Sequence, residues 1–275
     1  MTVVREDLSQ RTGLSKSAFG TFEWCQQQAW WDKWERRPWV PNPAATFGSA
    51  VDAGVESIIT YLRMGQDPDM ERAMAAAEEG RARNEVEIDM AAVQVALTSF
   101  VASVADQWDW SYARLQAHLH VTLDGIGEID GHPDIILPHV AVLDIKTSTR
   151  RKKTARTVEL GTYALMVEED TGDEVPEVGY LTYVRLVKPV WQTVVTCVDD
   201  ELRELTRQRW GGFVRANNAD DMLNRRRVQL NLPPENYSFP GCPVNGKRCR
   251  TCQYNPSLGG RCQMAVTEIT PGGDE

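Results

Sequence analysis

The stretch from Gly131 to Ser148 constrains this chain more than any other. It reads Gly131-His-Pro-Asp134-Ile-Ile-Leu137, then Pro138-His139, then Ala141-Val-Leu-Asp144-Ile-Lys146-Thr-Ser148. Two short apolar runs across a proline turn predict a pair of antiparallel strands. Side chains two apart in a strand point to the same side. Asp144 and Lys146 therefore share one face, with Leu143 and Ile145 on the other, and the tight turn can carry Asp134 beside Asp144. Two carboxylates converging near a lysine at the end of a sheet make a site for a hard cation. Mg²⁺ and Mn²⁺ favour such oxygen ligands and keep room for a phosphate oxygen. The bound cation lowers the pKa of a water and screens phosphate charge during in-line attack. A lysine beside two carboxylates should stay protonated. It is thus suited to orienting the water or stabilising the developing charge, rather than to serving as a free base. The rival reading is a surface strand with an exposed ion pair, which Asp-x-Lys matches constantly. The upstream Pro133-Asp134 and the strand–turn–strand setting weigh against it.

Around this hairpin the sequence predicts helices, antiparallel strands, a helix, strands, a long helix and a separate tail. Leu14-Ser15-Lys16-Ser17 is a helix cap, and helical spacing follows from Ala18 to Trp34. Five of the nine tryptophans fall between Trp24 and Trp39; a buried helix explains them more simply than a base-stacking surface. A second helix runs from near Phe47 to Met64. Residues 69–108 read as helical, with Gly80 as the break. The period then changes to alternation over Leu115–Leu123, a strand, and Asp124-Gly125 signals a turn. A helix is expected around Thr157 to Glu169, strands at Gly179–Val187 and Val190–Val198, and a helix from Asp199 to about Ala216. The fold class is α/β, a mixed central sheet flanked by helices rather than alternating βαβ units.

The net charge of −9 supplies no global basic surface for nucleic acid, so any such binding must be local. Arg150-Arg151-Lys152-Lys153-Thr154-Ala155-Arg156 places five positive charges in seven residues directly after the carboxylate strand. A phosphate threaded past the carboxylates would meet them next, without sequence readout. Arg225-Arg226-Arg227 and Lys247-Arg248 with Arg250 are further basic runs, each more simply read as a solvated face. No apolar run reaches the roughly 18 residues of a membrane span, and the first ten residues carry Arg5, Glu6 and Asp7 where a signal peptide needs apolar ones. The expectation is a soluble, cytoplasmic protein without a membrane partner.

Of six cysteines, Cys242, Cys249, Cys252 and Cys262 crowd into 21 residues. In a reducing compartment such clustering reads as a metal or iron–sulfur site rather than disulfides. Cys197 sits in a β-branched run and reads as a buried strand residue.

Taken in order, these segments resemble the PD-(D/E)XK nuclease superfamily and its RecB-like exonuclease branch, which includes AddB and the CRISPR adaptation nucleases. Pro133-Asp134 with Asp144-Ile145-Lys146 is similar to the signature itself. Leu14–Phe22 with Cys25 resembles the branch's N-terminal helix ending in cysteine. Phe47 to Glu56 resembles its Gly-x-x-x-His-x-x-x-Glu helix, and Leu160–Ala164 its Gln-x-x-x-Tyr-Ala helix. Cys249-x-x-Cys252-x-Tyr254 with Cys262 resembles the tail of members that carry a 4Fe-4S cluster. The resemblance spans about residues 14–262.

The resemblance implies a restriction-endonuclease-like core with helical insertions and a cysteine-rich C-terminal tail. One nuclease domain would span 1–275, with N-terminal helices at 14–64, a helical insertion at 69–110, the catalytic core at 115–216 and the tail at 231–265. It implies catalysis by Asp134, Asp144 and Lys146. Mg²⁺ or Mn²⁺ would be held by Asp52, Asp134, Asp144 and the Ile145 backbone carbonyl, with Glu56, Glu159 and Tyr163 around them. The cluster would be held by Cys25, Cys249, Cys252 and Cys262, with Cys242 an alternative ligand. The local set of Cys242, Cys249, Cys252 and Cys262 around structural Zn²⁺ is the competing arrangement. The implied activity is an exonuclease acting on single-stranded DNA or DNA ends in recombination or repair, with a helicase or recombination partner. Two departures stand out: Asp52 replaces the family's histidine and Glu159 its glutamine. They favour a rival of another class, a catalytically weak nucleic-acid-binding or assembly module. A zinc-stabilised structural protein is a third reading.

Overall fold

The computed structural model describes residues 14–25, 28–29, 42–185 and 188–230. The chain divides into two compact units. One comprises Trp39–Leu123 with Asp130–Thr206, and the other Met1–Pro38, Asp124–Ile129 and Arg207–Glu275.

The larger unit is built on a five-stranded sheet. Its strands are β2 (Arg114–Leu115), β5 (Ile135–Leu137), β6 (Ala141–Ser148), β7 (Glu177–Val184) and β8 (Val190–Cys197), in the order β2-β5-β6-β7-β8. The proline turn makes β5 and β6 antiparallel, with Ile135 opposite Leu143, and His139 in the turn takes φ 60°. Strand β7 runs parallel to β6, which requires a crossover; helix α5 (Val158–Thr171) supplies it. Thr157 caps α5 by accepting from the Leu160 amide, and Gly172 ends it at φ 76°.

Three earlier helices belong to the same unit: α2 (Pro43–Arg63), α3 (Met70–Ala82) and α4 (Met90–Ser103). Their starts follow from side chains that satisfy free helix amides: Asn42, Asp69 and Asp89 each accept from the first turn. Val51, Val55 and Ile58 of α2 and Leu97 and Phe100 of α4 bury against Leu143, Ile145, Leu181 and Tyr183 of the sheet, and Trp191 completes the cluster. The mixed α/β architecture expected from the sequence is therefore present.

Several details differ from the sequence-based expectations. Gly80 does not break a helix. It lies inside α3, where a Cβ would come within 2.7 Å of the Ser49 carbonyl oxygen, so it permits close helix packing. The break falls at 83–89, with Glu85 at φ 53°. The alternating segment 115–123 is two strands, β2 and β3 (Leu119–Leu123), parted at Gln116 with φ 46°. Cys197 is exposed, not buried, because β8 is the edge strand of its sheet. Helix α6 (Asp200–Gln229) runs well beyond Ala216.

In the smaller unit, β1 (Leu14–Ser15) leads into α1 (Lys16–Trp24), whose N-cap Ser15 accepts from the Ala18 amide at 3.1 Å. Helix α1 ends at Trp24 with Cys25 extended, which interrupts the helix expected to run to Trp34; residues 28–29 are helical again, and 26–27 and 30–34 lie outside the described residues. Phe19 stacks on Trp210 of α6 with centroids 4.3 Å apart, and Phe22 packs on Phe213. Trp210 is fully buried. The turn around Asp124–Gly125 connects β3 to β4 (Gly127–Gly131), with Gly125 at φ 71°. No described helix is long and apolar enough to cross a membrane. Cys242, Cys249, Cys252, Cys262 and the run from Lys247 to Arg250 lie outside the described residues.

Candidate active site

Alternation along β6 separates the strand into two environments. Leu143 and Ile145 enter the apolar cluster, while Asp144 and Lys146 face the opposite side. The parallel register sets Tyr180 beside Asp144 and Thr182 beside Lys146, and the next strand sets Gln192 beside Thr182. A polar strip therefore crosses three strands at one end of the sheet.

Asp134 joins the strip from just before β5. Its Oδ2 accepts from the Ile145 amide at 2.7 Å and its Oδ1 from Gln116 Nε2 at 3.4 Å, while the Gln116 amide donates to the Asp134 carbonyl at 2.9 Å. The carboxylate is thus pinned at the level of residues 144–146. The left-handed kink at Gln116 contributes to this, and nothing in the sequence singled that residue out.

Asp144 is almost fully buried. Lys146 Nζ lies 2.5 Å from its Oδ2 and 3.7 Å from Glu159 Oε1. Burial works against the ammonium, but Asp144 first, then Glu159 and Asp134, outweigh it and hold Lys146 protonated far above the usual lysine range. Glu159 sits in the first turn of α5. Its Oε2 accepts from the Tyr180 hydroxyl at 2.9 Å, which in turn meets Thr157 Oγ1 at 2.9 Å. Burial and the Glu159 charge keep that phenol protonated.

Asp52 arrives on α2. Gly48 lets this helix approach the end of β6, where a Cβ would stand 3.2 Å from Thr147 Oγ1. Asp52 Oδ1 is buried and has no hydrogen-bond partner among the described residues. Burial, then the charge of Asp134, push its carboxyl well above the ordinary carboxylate range; Lys146 opposes this, and Asp144 and Glu56 add to it. Glu56, one turn further on, is exposed. Tyr163, one turn after Glu159, is buried and lies where a Cβ on Gly131 would be 3.6 Å from its Cε1.

The structure thus brings Asp52, Asp134, Asp144, Lys146 and Glu159 into one electrostatic group. Among the described residues, no three His, Cys, Asp or Glu side chains stand as a ready-made metal site. The donor chemistry still suits a hard divalent cation: carboxylate oxygens that repel one another, with an orphaned buried oxygen on Asp52. Asp52, Asp134, Asp144 and the Ile145 carbonyl are the groups that would hold it.

The basic segment divides unequally. Lys152 is fixed by its backbone, whose amide donates to Gln192 Oε1 and whose carbonyl accepts from Gln192 Nε2, both at 2.9 Å. Its ammonium lies 4.2 Å over the Tyr180 ring. Arg150, Arg151 and Lys153 are exposed. Arg156, expected to meet phosphate with them, instead forks onto Asp199 at 2.7 and 3.0 Å and reaches Glu201 at 2.6 Å. Both pairs lie at the surface, with Glu201 exposed. Cys25 is half-buried at the end of α1, and its expected co-ligands lie outside the described residues.

Residues 13–257 match the PD-(D/E)XK nuclease superfamily. The chain belongs to that superfamily. Among curated proteins no sequence matches it. A solved structure, "Putative exonuclease" from Eubacterium rectale, is similar over 98% of this chain and 97% of its own, with 13% identity and a TM-score of 0.55. At that identity the similarity speaks for the fold, and it agrees with the nuclease architecture. The crystal structure of SSO0001 is more distant, at 14% identity over 80% of this chain and 86% of its own, with a TM-score of 0.35.

Proposed function

We propose that this superfamily member is a Mg²⁺- or Mn²⁺-dependent deoxyribonuclease, an exonuclease acting on single-stranded DNA or DNA ends. The observation that carries the reading is the convergence of Asp134, Asp144 and protonated Lys146 at the end of β6, with Asp52 beside them. A cation held by these carboxylates would supply Lewis acidity and screen the phosphate. Asp134 is held in place for it by the Ile145 amide, and Asp144 by the strand itself. Lys146, kept as an ammonium, stabilises the charge that builds on the phosphate oxygens or orients the attacking water. Arg150, Arg151, Lys152 and Lys153 draw the backbone of the incoming strand across the site without reading bases. The likeness to the Eubacterium rectale structure described as "Putative exonuclease" is in keeping with an exonuclease, and the family match over residues 13–257 supports reading the chain as one nuclease domain.

The reading extends to a 4Fe-4S cluster on Cys25, Cys249, Cys252 and Cys262, with Cys242 or a structural Zn²⁺ site as the alternative. Its role would be to tie the two ends of the chain together. Work in recombination or repair beside a helicase is the corresponding cellular setting. Iron and sulfide analysis of anaerobically purified protein checks the cluster.

The decisive test is cleavage of end-labelled single- and double-stranded DNA with Mn²⁺, beside Lys146→Ala prepared identically. Cleavage by the native chain alone supports the reading. Binding without turnover by either form would overturn it in favour of the nucleic-acid-binding module, with Asp52 as the departure responsible.

A further inference from the structure

The ammonium of Lys146 spans two carboxylates of different standing. Asp144, at 2.5 Å, is buried on a central strand and belongs to the donor set for a cation. Glu159, at 3.7 Å, lies on another element and outside that set. Its side chain is a third exposed, and its far oxygen is held by Tyr180, which Thr157 supports from behind. A divalent cation reaching Asp144 would meet the ammonium on the same carboxylate, and two positive centres at such range repel. A lysine with no second partner would oppose the incoming metal with its full charge. Here a second carboxylate stands within a side-chain rotation, already anchored.

We infer that Glu159 is a relay carboxylate: it takes over the Lys146 ammonium when a divalent cation occupies the Asp134 and Asp144 carboxylates, and Tyr180 holds it ready for that transfer. The inference rests on the metal-dependent reading above and deepens it. Glu159 is in these terms a positioning residue that acts through Lys146. No proton moves in this step. The lysine stays charged and exchanges one carboxylate partner for another. A glutamine at 159 would still accept from Tyr180 but would offer the ammonium no charge.

The test is a double-mutant cycle read in metal affinity rather than in turnover. Mn²⁺ alone, without DNA, is titrated into the full chain, into Glu159→Gln, into Lys146→Ala and into the double variant. Asp144→Asn serves as the blank that identifies this site. Lys146→Ala is expected to tighten Mn²⁺ binding, because the competing cation is gone. Glu159→Gln is expected to weaken binding about tenfold when Lys146 is present, and about threefold or less when it is absent. Tyr180→Phe should reproduce a smaller part of the same Lys146-dependent loss, and Glu159→Asp should recover part of it. Equal losses in both backgrounds would reduce Glu159 to a fixed charge and overturn the relay while leaving the metal site standing. Weaker binding by Lys146→Ala would overturn it too. If Asp144→Asn removes no binding at all, the relay and the metal-dependent reading both fall.

Discussion

The two faces of β6 set a packed apolar cluster against a strip of charge on one and the same strand. Leu143 and Ile145 look into a dry cluster formed with α2, α4 and the neighbouring strands. Asp144 and Lys146, interleaved with them, look onto a strip of mutually dependent charges. The apolar face tolerates loss of a side chain only at the cost of the fold. The polar face is held by that fold and contributes charge placement instead. Mutations one residue apart should therefore fail in different ways.

The sharpest break of this comparison is expected at Lys146. Lys146→Ala should lower DNA cleavage by about 10²–10³ while far-UV circular dichroism keeps the native signal. An active Lys146→Ala would erase the distinction between the faces. Leu143→Ala should do the reverse, costing about 2–5 kcal/mol in urea unfolding, with cleavage per folded molecule preserved below the transition. Within the basic segment the same contrast recurs in weaker form. Replacing Arg150, Arg151 and Lys153 together by Ala should weaken DNA binding and flatten its dependence on log salt by about 0.7 for each phosphate no longer neutralised. Arg156→Ala, which removes a charge already engaged by Asp199, should leave that slope unchanged.

The smallest expected effect concerns that pair. The Arg156 guanidinium, with the Leu202 amide, holds Asp199 down to about 2. A carboxyl lowered in the folded state adds stability above its unfolded value, and that stability is lost as pH falls toward 2. The native chain should therefore lose slightly more stability than Arg156→Ala between about pH 4 and 2. Thermal unfolding across that range measures it, and superimposable profiles would show that the pair contributes nothing. Asp199 is half-exposed, so the difference is bounded by solvent screening.

The strand pair and its turn were legible because two apolar runs across Pro138-His139 leave few alternatives. The faces of Asp144 and Lys146 followed from a period of two. The helix start at Asp69 falls where the helical reading began, whereas the second start at Asp89 escaped because the break was placed at Gly80. What escaped depended on contacts between distant segments. Gly80 looks like a helix breaker until the Ser49 carbonyl is seen pressing on it. Tyr180, Thr157 and Gln116 are ordinary residues until the register places them against Glu159 and Asp134. Arg156 reads as one of five equal positive charges, and only the fold reveals its acidic partners 43 and 45 residues away. Cys197 follows a buried pattern, yet lies at a sheet edge that sequence alone does not mark.

The reciprocal hydrogen bonds between the Lys152 backbone and the Gln192 side chain bear on the thermodynamics of binding. A basic loop without them would have to be ordered by its ligand, at an entropic cost that lowers affinity. Here the ordering at Lys152 is completed when the protein folds. Association with a strand should therefore be governed by counterion release, with only a small heat-capacity change, unlike a segment that folds on its target. The clamp also ties the geometry of the loop to that of the sheet. Whatever stiffens β8 would stiffen the loop that follows β6, through Gln192 alone.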